Sequence, residues 1–168
     1  MSNFFTENIQ EGMNYLHKHG AFLTAKAGDI TNTMTISWGN IGFQWNRPVF
    51  TVLVRKSRYT HDLIEKANEF TVSIPLTDKM KSQLALCGSK SGRDINKLDA
   101  ANLILCNGKT LSTPVIEDCE LHYECKIVYK QEMNSDLLDS DIKASFYGED
   151  DYHTIYVGEI VDCYKIEK

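Results

Sequence analysis

Two short cationic loops carry the side chains of this chain that are best suited to bind a phosphate. Residues 55–60 read Arg-Lys-Ser-Arg-Tyr-Thr, and residues 88–93 read Gly-Ser-Lys-Ser-Gly-Arg. Arginine and lysine offer charge-assisted donors, serine and threonine offer hydroxyls, and glycine lets backbone N–H groups approach an anion. The first loop also leads into a predicted helix over residues 60–68, with Thr60 as its N-cap, and a helix N-terminus adds partial positive charge. The pattern predicts a phosphate site.

Neither loop matches a familiar nucleotide-binding motif. Gly88 and Gly92 are too close together for a P-loop, Arg93 stands where that motif has lysine, and G-x-G-x-x-G does not occur in the sequence. These departures disfavour ATPases and Rossmann proteins. Each loop alone could also be an ordinary solvated loop, the second one with Gly88 ending a helix.

A strand that precedes the first loop could form the wall of a ring-binding site. Residues 32–38 read Asn-Thr-Met-Thr-Ile-Ser-Trp, so hydroxyl side chains alternate with apolar ones. A planar heteroaromatic ring needs both donors for its carbonyl oxygens and apolar contact for its hydrocarbon end. The alternative is an ordinary barrel strand with Trp38 in the core.

The elements that must position these residues are mainly strands. An amphipathic helix is predicted over residues 6–19, ending at Gly20, and a second helical pattern covers residues 77–86. The predicted strands cover residues 21–26, 32–38, 49–54, 70–75, 119–129 and 153–164, and the first two of them form a hairpin. Many strands with few helices favour a mainly β fold with helical additions, specifically a small β-barrel.

The strand over residues 119–129 contains residues that could be mistaken for a reactive site. Cys119 and Cys125 share its apolar face, which predicts buried core thiols rather than nucleophiles. Glu120, His122 and Glu124 share the other face. They could in principle ligate a metal, but three polar residues on one face are typical of a solvated or dimer-facing strand, so no metal site is predicted.

The formal net charge of −5 over 168 residues comes from one segment. Residues 132–151 contain seven carboxylates and a single lysine, and the rest of the chain is close to neutral. We expect this segment to be a solvated excursion that is partly helical around residues 135–140.

Cysteine usage and the amino-terminal residues bear on the compartment. The five cysteines are an odd number and include no C-x-x-C pair, so neither a disulfide framework nor a zinc ribbon is indicated, and free thiols suit a reducing cytoplasm. The first seven residues lack a basic and an apolar signal region, and no run is long enough to span a membrane. We therefore expect a single cytoplasmic domain over residues 1–168 with no membrane partner.

Five segments of the chain together resemble the flavin reductase-like family that includes flavoredoxin. They are residues 32–39, 54–60, 70–75, 87–94 and 153–160, which occur in the order of that family, and the similarity runs from about residue 20 to residue 163. The resemblance implies an FMN-binding split β-barrel that uses NADH or NADPH as electron donor. It also implies a homodimer with its two flavins near the subunit interface.

The resemblance further implies which residues hold the flavin. Those that would line the ring and ribityl chain are Asn32, Met34, Thr35, Ser37 and Trp38. Those that would hold the phosphate are Arg55, Ser57, Arg58 and Thr60. Those that would close the site from the second loop are Lys90, Ser91 and the backbone at Gly92. His153 matches the position near the flavin edge where the nicotinamide arrives, which makes it a candidate catalytic residue, although a histidine at the start of a strand can be merely structural.

Three functions remain in view from the sequence. The first is an NAD(P)H-dependent flavin oxidoreductase with hydride transfer to flavin N5, and the second is a flavoredoxin-like carrier that passes electrons from tightly bound FMN to a protein partner. The third is a flavin-free barrel that binds nucleic acid through its cationic loops. The near-neutral charge outside the acidic segment and the shortness of the basic runs argue against nucleic acid.

Overall fold

The computed structural model describes residues 4–166; residues 1–3 and 167–168 of the predicted domain lie outside the described part. In that part, the β-strands are β1 (Ala21–Ala27), β2 (Ile30–Ile36), β3 (Gly39–Gln44), β4 (Arg47–Arg55), β5 (Glu69–Ile74), β6 (Leu105–Cys106), β7 (Val115–Ile116), β8 (Leu121–Glu132) and β9 (His153–Lys165). The α-helices are α1 (Ile9–His19), α2 (Tyr59–Ala67), α3 (Lys81–Ser89), α4 (Lys97–Ala100) and α5 (Ser140–Phe146). Short 3₁₀ turns lie at Phe4–Thr6, Asp78–Met80 and Ser135–Leu137.

Seven strands form one antiparallel sheet in the order β2-β1-β5-β8-β9-β4-β3. The sheet curls, since β2 also contacts β4 from the opposite side of the order. Its inner face buries a continuous apolar core that includes Phe50, Phe70 and Tyr123, and Leu63 and Ile64 of α2 pack into that core. The predicted mainly β fold with helical additions is confirmed. None of the helices in residues 4–166 is long and apolar enough to cross a membrane.

The first hairpin follows the predicted pattern. Strands β1 and β2 pair in register from Ala21 with Ile36 to Ala27 with Ile30. Gly28 adopts a φ of 60° at the first loop position, a conformation that glycine takes at little cost. The later predicted strands are also present, with ends that differ by one to three residues.

The hairpin of β3 and β4 contains a strand that the sequence pattern does not reveal. Strand β3 lies at one edge of the sheet and includes Gly39 and Gly42, which weaken a strand pattern. Its turn consists of Trp45 and Asn46, both at positive φ (49° and 59°). A bulky aromatic residue at positive φ is uncommon, so the usual glycine signal for this kind of turn is missing.

The predicted helices are confirmed with shifted ends, and one predicted cap is wrong. Helix α1 begins at Ile9, and α3 begins at Lys81 and passes through Gly88 to end at Ser89, so Gly88 does not stop it. Helix α2 begins at Tyr59 with Arg58 in the N-cap position. Thr60 is instead inside the helix and buried. Its hydroxyl accepts a hydrogen bond from the Asn32 amide nitrogen at 2.9 Å.

The expectation of a solvated polar face on β8 is also wrong. His122 and Glu124 are fully buried, and residues 108–111 fold back over the Glu124 carboxylate. The Glu124 carboxylate accepts backbone N–H bonds from residues 109, 110 and 111 at 2.6 to 2.9 Å, and a hydroxyl bond from Tyr164 at 2.9 Å. The carboxylate therefore fixes a loop. The predicted burial of Cys119 and Cys125 is confirmed, and no disulfide forms among the five cysteines.

Gly158 lies where β9 crosses the core most closely. A Cβ atom at this position would be 2.7 Å from the Phe70 ring and 2.7 Å from Cys125 Cβ, and both residues are fully buried. Next to it, the pairing of β8 with β9 shifts register between Ile127 and Tyr129. A glycine inside a strand often marks a bulge or a close backbone approach, and Gly158 lies at both.

Replacing Gly158 by alanine should destabilise the fold by roughly 1 to 3 kcal/mol, since the added methyl group must displace a core side chain. Urea denaturation followed by circular dichroism measures this change. Gly42→Ala is the matched control, because a Cβ atom at Gly42 meets nothing within 4 Å, and it should change the stability by less than about 0.5 kcal/mol. Equal midpoints for the two variants would contradict the packing explanation.

Candidate functional site

The first cleft of interest, here called the Trp38 cleft, opens beside the end of β2 and has a volume of about 300 Å³. Strands β2, β4 and β9 and the first cationic loop surround it. Its lining residues are Met34, Thr35, Ile36, Ser37, Trp38, Leu53, Arg55, Arg58 and His153. Trp38 and Ser37 are exposed at its mouth, whereas His153 is buried at its side. The cleft therefore combines an exposed aromatic wall with polar groups, as a site for a planar ring requires.

The second cleft, here called the Arg58 pocket, is smaller, at about 150 Å³. It lies between the start of α2 and the end of α3, so the two cationic loops meet there as the sequence suggested. Its lining residues are Met34, Ser57, Arg58, Tyr59, Thr60, Ser89, Lys90, Ser91 and Lys97. Three basic residues and five hydroxyl-bearing residues thus surround a space suited to a small anion.

Met34 and Arg58 line both spaces, so the Arg58 pocket is the neighbour of the Trp38 cleft. The guanidinium of Arg58 also donates to the Gly88 carbonyl at 2.9 Å, which ties the first loop to α3. A ligand with a ring at one end and an anion at the other could therefore occupy both spaces, with Arg58 between its two parts.

Some predicted site residues take supporting positions. Asn32 and Gly92 line a separate surface cleft rather than either space, and they lie so close that a Cβ atom at Gly92 would be 2.2 Å from Asn32 Oδ1. Asn32 reaches the Arg58 pocket only through its hydrogen bond to Thr60. Thr35 lines the Trp38 cleft, but its hydroxyl donates to the Leu84 carbonyl at 2.6 Å. The Thr35 hydroxyl proton is therefore already used in a hydrogen bond to α3 and is not available to a ligand in the cleft.

Lys97 is a member of the Arg58 pocket that the sequence did not reveal. Its side chain is only 3% exposed and donates to the carbonyl oxygens of Thr33 (3.2 Å) and Cys87 (2.8 Å). No carboxylate in the described part of the chain pairs with it. Burial lowers the pKa of Lys97, and the nearby Arg58 lowers it further against the opposing effect of Cys87. An anion in the pocket would supply the missing charge partner.

The acidic segment is largely exposed, as predicted, but two of its aromatic side chains pack against residues of the Trp38 cleft. Residues 133–152, here called the strap, connect β8 to β9 and include α5. The Phe146 ring meets Trp38 edge-on, with 5.0 Å between ring centroids. The Tyr147 hydroxyl lies 2.7 Å from Nδ1 of His153. The predicted helical character and solvation are confirmed for most of the strap, and its contacts with Trp38 and His153 make it part of the site.

Arg55 and Ser57, two of the predicted phosphate residues, are engaged by the strap. The Arg55 guanidinium donates to the carbonyl oxygens of Asp151 (2.6 Å) and Phe146 (2.9 Å). The backbone N–H and hydroxyl of Ser57 donate to the Asp151 carboxylate at 3.2 and 2.6 Å. Arg55 therefore anchors the strap. Ser57 already holds an anion, which shows that its donors suit one.

Comparison with known proteins agrees with this geometry. Residues 13–168 match the family model described as the flavin reductase like domain. The chain belongs to the flavin reductase-like family.

Solved flavin reductase-like structures have the same fold. Flavoredoxin from Methanosarcina acetivorans superposes with a TM-score of 0.70 at 26% identity, covering 88% of this chain and 68% of that one. An FMN-binding protein from Thermus thermophilus gives a TM-score of 0.68 at 23% identity, covering 87% and 69%. A split-barrel protein from Shewanella frigidimarina gives 0.70 at 18% identity, covering 100% and 82%. The curled sheet described above is thus a split barrel.

The electrostatics of this flavin reductase-like site keep His153 neutral. Burial lowers the pKa of His153 to about 4, and the positive charges of Arg55 and Arg58 contribute to the lowering, whereas Asp151 opposes it. At neutral pH the imidazole is therefore a hydrogen-bonding group rather than a cation.

The free energy of unfolding should fall as the pH is lowered from about 6.5 to about 4, because the unfolded chain binds a proton at His153 in this range and the folded chain does not. The loss attributable to His153 is at most on the order of 3 kcal/mol. Chemical denaturation of the wild type and of His153→Gln at several pH values measures it. The difference in stability between the two proteins should change across this range and be constant above it; a constant difference throughout would refute the assignment.

Proposed function

We propose that this protein binds FMN and is an oxidoreductase that accepts electrons from NADH or NADPH. The isoalloxazine ring would occupy the Trp38 cleft, and the phosphate would occupy the Arg58 pocket. Bound FMN would supply the redox chemistry, with hydride transfer from the nicotinamide to flavin N5. The family membership and the FMN-binding and flavoredoxin structures of the same fold support the proposal.

One observation carries the proposal: an anion pocket with an unbalanced buried cation adjoins an aromatic cleft. Lys97 is nearly inaccessible and bonds only to backbone carbonyl oxygens, so it has the strongest need of any pocket residue for an added negative charge. A phosphate dianion meets that need and also accepts bonds from Arg58 and from the hydroxyls around it. FMN joins such a phosphate to a ring that matches the neighbouring cleft.

The side chains in this arrangement divide the work of binding. Arg58, Lys90, Lys97 and Ser91 would hold the phosphate. Trp38 and Met34 would contact the ring, while Ser37 offers a hydroxyl at the mouth of the cleft. The strap would limit the access of water, because Phe146 covers part of Trp38. His153 would direct a hydrogen bond toward the ring side of the cleft.

A second candidate function, the non-catalytic electron carrier, is favoured by the strap. Phe146 packs on Trp38, and Tyr147 packs against His153. In a reductase, a nicotinamide ring must reach the flavin at this edge, so Phe146 and Tyr147 of the strap would have to move away from Trp38 and His153. A carrier needs no such access, since electrons can pass to a protein partner over a short distance.

The proposal includes a homodimer in the cytoplasm. Phe43, Trp45 and Tyr129 expose between 43% and 61% of their surface on neighbouring parts of the sheet, and the Trp45 and Tyr129 rings lie 6.1 Å apart. An exposed aromatic group of this kind is typical of a surface that a subunit interface buries. Sedimentation equilibrium gives the oligomeric mass directly.

Arg58→Ala should weaken FMN binding roughly 10- to 100-fold, since hydrogen bonds to charged groups contribute about 1.5 to 3 kcal/mol. Quenching of flavin fluorescence measures the affinity. Riboflavin, which lacks the phosphate, should lose much less affinity in the same variant. Lys66→Ala removes an exposed charge outside the pocket and serves as the control. If FMN affinity is the same in Arg58→Ala as in the control, the phosphate assignment is wrong.

Anaerobic addition of NADH and of NADPH to the FMN-loaded protein separates the two candidate functions. Loss of the 450 nm region absorbance, typical of oxidised flavin, is the expected result for a reductase, and the effective nucleotide identifies the donor. Flavin that is retained but stays oxidised with both nucleotides would establish the carrier instead. A protein that retains no flavin at all and gives no turnover would refute both.

A further inference from the structure

Tyr147 contacts His153 in a manner that the flavin-binding proposal does not use. The strap brings the tyrosine hydroxyl to 2.7 Å from Nδ1 of His153, and the two rings are nearly perpendicular with their centroids 5.5 Å apart. Tyr147 is 4% exposed and His153 is 6% exposed. The hydrogen bond is therefore shielded from water, and its direction determines which nitrogen of His153 carries the proton.

Hydrogen-bond satisfaction favours the hydroxyl of Tyr147 as the donor in this bond. It has no other hydrogen-bond partner among the residues that the structure describes, so a hydroxyl that accepted from Nδ1–H would leave its own proton without an acceptor. A buried donor without a partner destabilises the fold, because it loses its hydrogen bond to water. The opposite arrangement satisfies the hydroxyl and leaves the proton of His153 on Nε2.

The charged groups around His153 favour a neutral ring on balance. The Arg55 side chain, from β4, lies over the Tyr147 ring at 5.1 Å, and Arg58, at the start of α2, lines the same cleft. Both disfavour an imidazolium, and Asp151 of the strap is the only nearby carboxylate that favours one. That carboxylate is hydrogen-bonded to Ser57, which satisfies part of its charge.

The position of Tyr147 is itself well fixed. Its ring stacks on Tyr152 with centroids 5.0 Å apart and planes inclined by 17°. Arg55 binds the carbonyl oxygen of Phe146, the residue before it. Strap, arginine and tyrosine thus form one supported group that holds the Tyr147 hydroxyl against His153 beside the Trp38 cleft.

We propose that Tyr147 is a positioning residue that locks His153 in the Nε2–H tautomer, so that the Trp38 cleft presents a neutral N–H donor to its ligand. The chemical partner of such a donor is a carbonyl oxygen, and a proton donor of the imidazolium type is excluded at neutral pH. If the cleft takes a flavin, this group would bond a ring or carboxamide carbonyl oxygen. That last step rests on the proposed function, whereas the tautomer does not.

The tautomer is measured in the flavin-free full-length protein by long-range ¹H–¹⁵N correlation of the histidine rings. In the wild type, His153 should show a protonated Nε2 and an unprotonated Nδ1. Tyr147→Phe keeps the ring and its stacking but removes the hydroxyl, and it should convert His153 to a mixture of tautomers. Tyr152→Phe is the matched control, because its hydroxyl bonds Asp150 at 2.9 Å and does not contact His153. It should retain the wild-type pattern.

Two results would overturn the proposal: a proton on Nδ1 in the wild type, or an unchanged His153 pattern in Tyr147→Phe.

A second measurement tests the donor role with riboflavin, which needs no phosphate. Its affinity should fall about 2- to 10-fold in Tyr147→Phe, as for the loss of one neutral hydrogen bond. His153→Gln, which retains an N–H donor, should bind riboflavin better than His153→Phe; equal affinities would reject the donor role. Failure of riboflavin to bind even the wild type would count against the flavin site and leave the tautomer result standing.

Discussion

The pairing of β4 with β9 is the constraint on which the site depends. Its register places Arg55 directly opposite His153, at the end of both strands. From this position the Arg55 guanidinium reaches two carbonyl oxygens of the strap, while His153 faces the cleft. A slip of one residue would turn each side chain to the other face of the sheet. The barrel core, through Gly158 and its neighbours in β9, fixes that register.

Positive charge is used in two ways in this acidic protein. Arg55 donates its hydrogen bonds to backbone carbonyl oxygens of the strap and so orders it. Arg58, Lys90 and Lys97 surround the small pocket and retain donors for a ligand. Burying Lys97 without a carboxylate costs stability in the absence of an anion. The folded chain accepts that cost next to a space that fits an anion, which is consistent with a site shaped for its ligand rather than for maximal stability.

Local sequence patterns predicted most of the strands and helices. The features that they did not predict are made by contacts between residues far apart in the sequence. Alternation predicted β1, β2 and β9, and the two cationic loops meet as expected because α2 and α3 both follow strands of the same barrel. The face of β8 with His122 and Glu124 could not be interpreted correctly, since the partners that bury them, Ser73 of β5 for His122 and residues 108–111 for Glu124, lie outside the strand. Lys97 was missed for a similar reason: nothing in its neighbours indicates burial. The strap is solvated as its charge predicts, but its contacts with the site were missed because no local pattern shows where Phe146 and Tyr147 pack.

The strap also shows how this fold can change without being rebuilt. Strands β8 and β9 stay paired as far as Glu132 and Thr154, and the Met133 N–H still bonds the His153 carbonyl oxygen. The two ends of the strap are therefore adjacent and held together by the sheet. The entropy of closing such a loop rises only slowly with its length, by about 0.6 kcal/mol for each doubling. Insertions and deletions in the strap therefore change the free energy of unfolding only slightly through this term. A lineage can exchange the whole outer wall of the cleft, and with it the choice of molecules admitted, while the barrel and the anion pocket stay as they are.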